Sequence, residues 1–440
     1  MATSRRLKLP PLDVPLLLSA LVLVGVGLLT VYSATSIPGA HQGLWARQLV
    51  WALAAIAVAW AVARMHYRVY DMLAWPLYGI SLLLLALVLV KGSSAYGARR
   101  WLDLGPLHFQ PSEIAKVAVV MVLARRFDQE KLDLRRFRKW FLPLAITLVP
   151  FALVAKEPDL GTSLSFPVIL VVMYFWAGMP VARLLLGLSP VLSAALFFLT
   201  GSLTWAVAIV LVPLVLAFVA GLAGALGRAL RRRQLGEKFR ELYPREPRTR
   251  LRLGLLAAAL LLNGGVIYVL PHAWEHLAAY QKRRIETFLN PGSDPYRAGY
   301  QVLQSRIAIG SGGVTGTGYL RGTQKGLAFL PMRHTDFIFS VVGEEWGLMG
   351  TLTVVLLYAL LVVRGFRLAL VARSRFASLL AVGVVSSLFY HIMVNILMTI
   401  GWAPVTGLPL PLISYGGTAL VATGVQIGLL QNVAIRRTEI

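Results

Sequence analysis

VPLLLSALVLVGVGLLTVY, Val14–Tyr32, is an unbroken apolar run, and its length decides how the rest of the chain is read. A secretory signal core spans roughly 7–15 apolar residues, whereas a helix crossing a bilayer needs roughly 17–25. The run is therefore expected to stay as a membrane helix, despite the basic start at Arg5, Arg6 and Lys8. Comparable runs begin near residues 47, 72, 111, 140, 160, 183, 203, 254, 338, 377 and 416, which gives twelve predicted spans. With 57% hydrophobic and 14% charged residues, the 440-residue chain cannot wrap a soluble core in a polar shell. The expected fold class is all-α, a polytopic membrane helical bundle of 10 to 12 transmembrane helices with one large exoplasmic loop. Helices that bury one another side by side make a single membrane domain, residues 1–440, the natural reading.

The net charge of +24 would suit nucleic acid, but its placement points elsewhere. Seven cationic residues lie between Arg125 and Lys139 and ten between Gly227 and Leu253; Arg364, Arg367, Arg373, Arg375, Arg436 and Arg437 follow later spans. Counting spans puts all of these on one face, which the positive-inside rule makes cytoplasmic, with both termini. They read as topology determinants on anionic membrane lipids, and nucleic acid is not an expected partner. The chain has no cysteine, so disulfides and thiolate metal sites drop out.

Polar content collects in the segments on the opposite, exoplasmic face. Residues 91–117 are rich in Gly and Pro and read as irregular. Arg99 and Arg100 stand there beside Trp101, a position that an interfacial tryptophan with snorkelling arginines would also explain. Pro111 and Ser112 open the fourth span, and Glu113 and Lys116 follow on one helix face. A charged pair inside a span is costly unless it faces a polar cavity or forms a structural ion pair. Lys156, Glu157, Asp159 and Thr162 crowd the short turn between the fifth and sixth spans. Asp159 there is placed to cap the sixth helix through the Gly161 or Thr162 N–H. The seventh and eighth spans, within residues 183–226, show no polar motif and read as bulk.

The longest polar segment on this face, residues 271–337, holds eight cations, Lys282, Arg283, Arg284, Arg297, Arg306, Arg321, Lys325 and Arg333. A cationic excess where insertion disfavours it suggests an anionic ligand, and arginine forks suit phosphate. The run GSGGVTGTG, Gly310–Gly318, would either present backbone N–H groups to such a ligand or serve as turn glycine. His272, Glu275 and His276 match an inverted zinc-protease spacing but lack a third ligand, so zinc is set aside. Asp336 precedes the next helix, with Glu344 and Glu345 in its first turns. Glu113, Lys116, Asp159 and Asp336 are all expected near one membrane depth. His391 and Asn395 either enter the same cavity or bond a neighbouring helix. The Pro- and Gly-rich stretch 395–417 is tolerated at that depth only if it packs in protein or lines a cavity.

The runs RRWLDLGPLHFQPSEIAKV, EPDLGTS, DPYRAGYQVLQSRIAIGSGG, GTQKGLAFLPMRHTDFIFSVVGEEWGL and TGLPLPLISYGG, in order over residues 99–417, resemble the motifs of the SEDS family (shape, elongation, division and sporulation). The likeness is nearest its elongation branch, although GEE resembles the division type. The resemblance implies a glycosyltransferase that polymerises lipid II into glycan strands, partnered by a class B penicillin-binding protein. The family's essential aspartate falls on Asp336, and its intramembrane Glu and Lys on Glu113 and Lys116. The family has ten spans, so the pair within 183–226 is expected to be extra.

That chemistry suits the residues. An acceptor hydroxyl needs a base, the role expected of Asp336. The lipid diphosphate is already a good leaving group and needs positive charge, from Arg99, Arg100, Lys116 or Arg306, or from a divalent cation such as Mg or Mn. Glu113, Asp159, Trp101 and Lys156 complete the expected substrate-binding set. Attack opposite the leaving group would invert the anomeric centre. A flippase for the same lipid would also want a polar cavity but should show paired broken helices across two repeats, and no internal repeat is seen; a non-catalytic scaffold of cell-wall enzymes would need no acid beside cations.

Overall fold

Local chemistry starts the helices close to where the apolar runs begin. The computed structural model describes residues 12–36, 43–95, 98–104, 107–129, 137–157, 159–200, 208, 210–212, 248–276, 279–289, 298–322 and 332–437. Three helices come first, α1 (Val14–Thr35), α2 (Leu44–Arg64) and α3 (Tyr67–Lys91). Strands β1 (Ser93–Ala95), β2 (Ala98–Leu104) and β3 (Leu107–Phe109) then lead to α4 (Pro111–Gln129), α5 (Phe141–Lys156), α6 (Leu160–Trp176) and α7 (Val181–Thr200). The remainder is α8 (Arg248–His276), α9 (Ala279–Leu289), α10 (Ala298–Ser311), α11 (Ile338–Val371), α12 (Arg375–Thr399) and α13 (Gly417–Arg436). Asp13, Asp159 and Ser374 cap α1, α6 and α12, each accepting from a backbone N–H three residues on.

Among the described residues seven helices are long and apolar enough to cross a membrane, and α5, α6 and most of α7 are shorter apolar helices. The span predicted near residue 203 falls almost wholly outside the described residues. One expectation needs correcting. Residues 93–95, 98–104 and 107–109 form an antiparallel sheet in the order β1-β2-β3, with Arg99 opposite Ser94 and Asp103 opposite His108, where irregular backbone was expected. The segment 271–337 carries helix of its own, since α8 runs through Pro271 to His276 and α9 and α10 follow.

The chain divides into two units, residues 179–285 and the remainder. In the smaller, α7 pairs with α8 through a polar clasp: Ser193 Oγ donates to Asn263 Oδ1 at 2.7 Å, and Asn263 Nδ2 donates to Ser189 Oγ at 2.8 Å. The seventh predicted span, α7, is thus not featureless bulk; its partner α8 is the span predicted near residue 254. Serines one turn apart on α7 present two hydroxyls to a single amide, a contact worth about 0.6 kcal/mol per bond in a membrane.

In the larger unit α4 is the enclosed helix, with Val117–Ala124 buried throughout. It packs against α3, α5, α6, α12 and α13. This explains how a charged helix can sit inside an apolar bundle, since its surroundings are protein rather than hydrocarbon. Glycine permits the closest approaches. A Cβ on Gly424 or Gly428 of α13 would come within 2.5 or 2.6 Å of the Ala55 or Ala59 carbonyl of α2, a small-xxx-small seam.

Candidate active site

Three side chains on α12 gather the site. His391 Nε2 lies 2.8 Å from Lys116 Nζ, which also donates to Glu113 Oε1 at 2.8 Å. One residue away, the Tyr390 hydroxyl donates to the Gly161 carbonyl at 2.8 Å, fixing the first turn of α6 beside Asp159. One turn on, Asn395 Nδ2 donates to the Asp336 carbonyl at 2.9 Å and to the Leu408 carbonyl at 2.7 Å. Tyr390, His391 and Asn395 thus connect α4, the α5–α6 turn and the turn that carries Asp336. Of the three, only Tyr390 carried no sequence signal.

Asp159 is buried and its bonds are spread over several groups. Oδ1 accepts from the Thr162 N–H at 3.1 Å, and Oδ2 from Thr162 Oγ1 at 2.8 Å and Gln110 Nε2 at 3.4 Å. Arg100 Nε stands 3.8 Å from the same oxygen. Capping and placement of an arginine are therefore combined in one carboxylate. Glu157, in the turn after α5, is 1% exposed, and its Oε1 has no hydrogen-bond partner. Burial pushes its carboxyl up to about 8; the neighbouring Asp159 acts in the same direction and Arg100 opposes.

Asp336 sits in a turn over residues 332–337 and is not the cap of α11, whose N-cap position is Phe337 with no side-chain bond. Its turn is held from several sides. Ser414 Oγ donates to the Thr335 carbonyl at 2.6 Å, the Tyr415 N–H to His334 at 2.9 Å, and Arg333 Nε to the Ala34 carbonyl at 2.9 Å. Opposite lies Gly407, with a left-handed φ of +78°. A Cβ there would stand 3.5 Å from Arg100 Nη1 and 3.6 Å from Asp336 Oδ2, so the guanidinium and the carboxylate converge on one bare stretch of backbone. The irregular segment 400–416 lines the site, as its composition suggested.

Other candidates stand apart. The Arg306 stem packs over Gly401 at the far end of that segment, and Lys156 is exposed at the end of α5. Trp101 is half-buried on β2; the Arg99 side chain lies outside the described residues, as do Arg297 and Lys325. The glycine run does not present a phosphate cradle. The Thr317 and Gly318 N–H groups donate to the Glu344 and Glu345 carbonyls at 2.9 and 3.1 Å, and side chains at Gly312 or Gly316 would overlap the α11 backbone. The run is a packing surface for a kink in α11 at Gly347. Glu345 accepts from the Ser33 hydroxyl, and both acids are buried. His272 and His276 bond α8 carbonyls one turn back. Among the described residues no three His, Asp or Glu side chains are grouped to hold a metal ion. Asp159 faces Arg100 and Thr162, and Glu113 faces Lys116.

Known proteins are similar to this chain along nearly their whole length. A family model described as "Cell cycle protein", covering FtsW, RodA and SpoVE, matches residues 14–226 and 250–439. The peptidoglycan glycosyltransferase MrdB of Escherichia coli K12 is 35% identical over 427 residues, 97% of this chain and 94% of that protein. The peptidoglycan glycosyltransferase RodA of Treponema pallidum is 32% identical, covering 97% of this chain and 98% of that one. Among solved structures, a chain of a peptidoglycan synthase complex matches with a TM-score of 0.68 at 30% identity, covering 98% and 99% of the two chains. The crystal structure of Thermus thermophilus RodA gives 0.60 at 28% identity, covering 98% of each.

Proposed function

This chain belongs to the FtsW, RodA and SpoVE family, and from that premise we propose that it is a peptidoglycan glycosyltransferase polymerising lipid II, with Asp336 as general base. The observation that carries the assignment of the base is the convergence of Asp336 Oδ2 and Arg100 Nη1 on Gly407. Asp336 accepts the proton of the acceptor hydroxyl as its oxygen attacks the donor's anomeric carbon. The bond from that carbon to the lipid diphosphate breaks, and its electron pair leaves with the diphosphate. Arg100 stabilises the charge that develops there, and Asp159 holds Arg100 in place. Attack from the face opposite the leaving group inverts the centre.

Lys116 is 1% exposed and enclosed by Glu113 and His391, which favours a supporting role beneath the site over direct contact with substrate. The site faces the exoplasmic side, with both termini cytoplasmic, as the distribution of cations implies. A class B penicillin-binding protein crosslinks the product, in keeping with the resemblance to a chain of a peptidoglycan synthase complex.

The test is polymerisation of purified lipid II by the full chain with its transpeptidase partner. Wild type should build glycan strands and Asp336→Asn should fall to background while keeping its melting temperature. Equal product from both would remove Asp336 as the base. No product from either would turn the reading towards transport.

A further inference from the structure

The end of the bundle that holds the start of α1 and the last turn of α13 contains a crevice that includes none of the active-site side chains; its one link to that site is Leu412, in the 400–416 segment. It encloses about 230 Å³ between α1, α2 and α13, and its lining is almost entirely apolar. Ala20, Ala55 and Ile427 make a buried floor, while Leu21, Ile56 and Trp60 on the rim are exposed, so the crevice opens away from the bundle. It cannot close by a shift of α13, because α13 already rests backbone to backbone on α2 at Gly424 and Gly428. Its one polar lining residue, Gln431, has its amide bonded to the Asp13 backbone at 3.0 and 2.9 Å. A hydrocarbon-lined void beside a bilayer forfeits dispersion contacts unless hydrocarbon fills it.

Cations stand at the same end. The Arg64 guanidinium lies 5.0 Å over the ring of Trp60 on the rim, and Arg436 Nη2 donates to the Arg64 carbonyl at 3.1 Å. A basic group beside a pocket between membrane helices suits an anionic headgroup, and guanidinium suits phosphate. We propose that this crevice binds one anionic phospholipid of the adjacent leaflet, with an acyl chain over the alanine floor and the phosphate on Arg64 and Arg436. The site is separate from the glycosyl-transfer site and does not depend on it.

The probe is the full chain reconstituted in equimolar phosphatidylethanolamine and phosphatidylglycerol vesicles, released into detergent and weighed intact. Wild type should retain one phosphatidylglycerol. Arg64→Gln should lower its retention about tenfold, the worth of one charge-assisted contact, and Ala59→Leu, which fills the crevice, should abolish it. Ile56→Trp covers the rim without entering the α2–α13 seam and replaces Ala59→Leu if that variant melts early. Retention unchanged in these variants overturns the proposal, as does equal retention of the zwitterionic lipid. A dimer that Ile56→Trp dissociates would assign the crevice to a second copy and would overturn it as well.

Discussion

Lys116 Nζ and His391 Nε2 meet at 2.8 Å across the boundary between α4 and α12. An ammonium has only donors, so Nε2 accepts and the imidazole carries its proton on Nδ1. With Glu113 on the other side, the cation is held inside the bundle by one negative and one neutral partner.

Removing that cation alone should be severe. Lys116→Met leaves Glu113 buried without its ion-pair partner, a change that typically costs about 3–5 kcal/mol. The double variant Glu113→Gln with Lys116→Met should regain most of that stability. Thermal denaturation in detergent measures both; a single variant as stable as the double would mean that the pair is not desolvated.

Gly407→Ala probes the space between Arg100 and Asp336. Its left-handed backbone should cost about 1–2 kcal/mol, and the added methyl occupies ground that substrate atoms need. Polymerisation should fall about tenfold or more, well beyond the change in stability. Full activity in a stable Gly407→Ala protein would place the reacting atoms elsewhere.

Asn395→Ala takes one donor from two carbonyls, those of Asp336 and Leu408. Buried acceptors left unmet cost about 1–3 kcal/mol. Asn395 is fully buried and bonded to the Asp336 carbonyl, so under the proposed role of Asp336 its loss should lower kcat while KM stays near its wild-type value. A rise in KM at unchanged kcat would assign Asn395 to substrate binding instead.

Glu157 predicts a pH dependence with a definite sign. Its folded pKa, about 8, is raised above the ordinary 4.5, so between these values the folded protein holds a proton that the unfolded chain releases. The contribution of Glu157 to stability is then greatest below about 4.5 and declines as pH rises towards 8. Melting scans across that window should show this decline in wild type and a flatter profile in Glu157→Gln, after shared trends are subtracted. Parallel profiles would mean that Glu157 is ionised throughout.

The membrane fold could be read from the sequence because an apolar run long enough to cross a bilayer has few other destinations. Most observed helices begin within a few residues of a predicted span. The pairing of Glu113 with Lys116 was legible for a similar reason, since i and i+3 share a face on any helix. What was not legible depends on distant backbone. Nothing near Tyr390 announces that its hydroxyl reaches Gly161, and nothing in GLPLP says that Gly407 lies between an arginine and an aspartate. The glycine run left two readings open for the same reason: whether its N–H groups are available to a ligand depends on α11, which only the fold brings within their reach. The small sheet of β1, β2 and β3 was hidden because β1 and β3 have only three residues each and ARRWLDL in β2 breaks alternation at Arg99–Arg100 and Trp101–Leu102.

The seam at Gly424 and Gly428 bears on how the molecule is made. It joins α2 with α13, helices separated by most of the described residues, and Asp13 is tied to Gln431 at the same time. Until α13 enters the bilayer, the alanine face of α2 lacks the partner it has in the finished unit. Closure of the larger unit thus waits on α13, and a chain interrupted after α12 would present that open flank to the membrane's quality-control proteases.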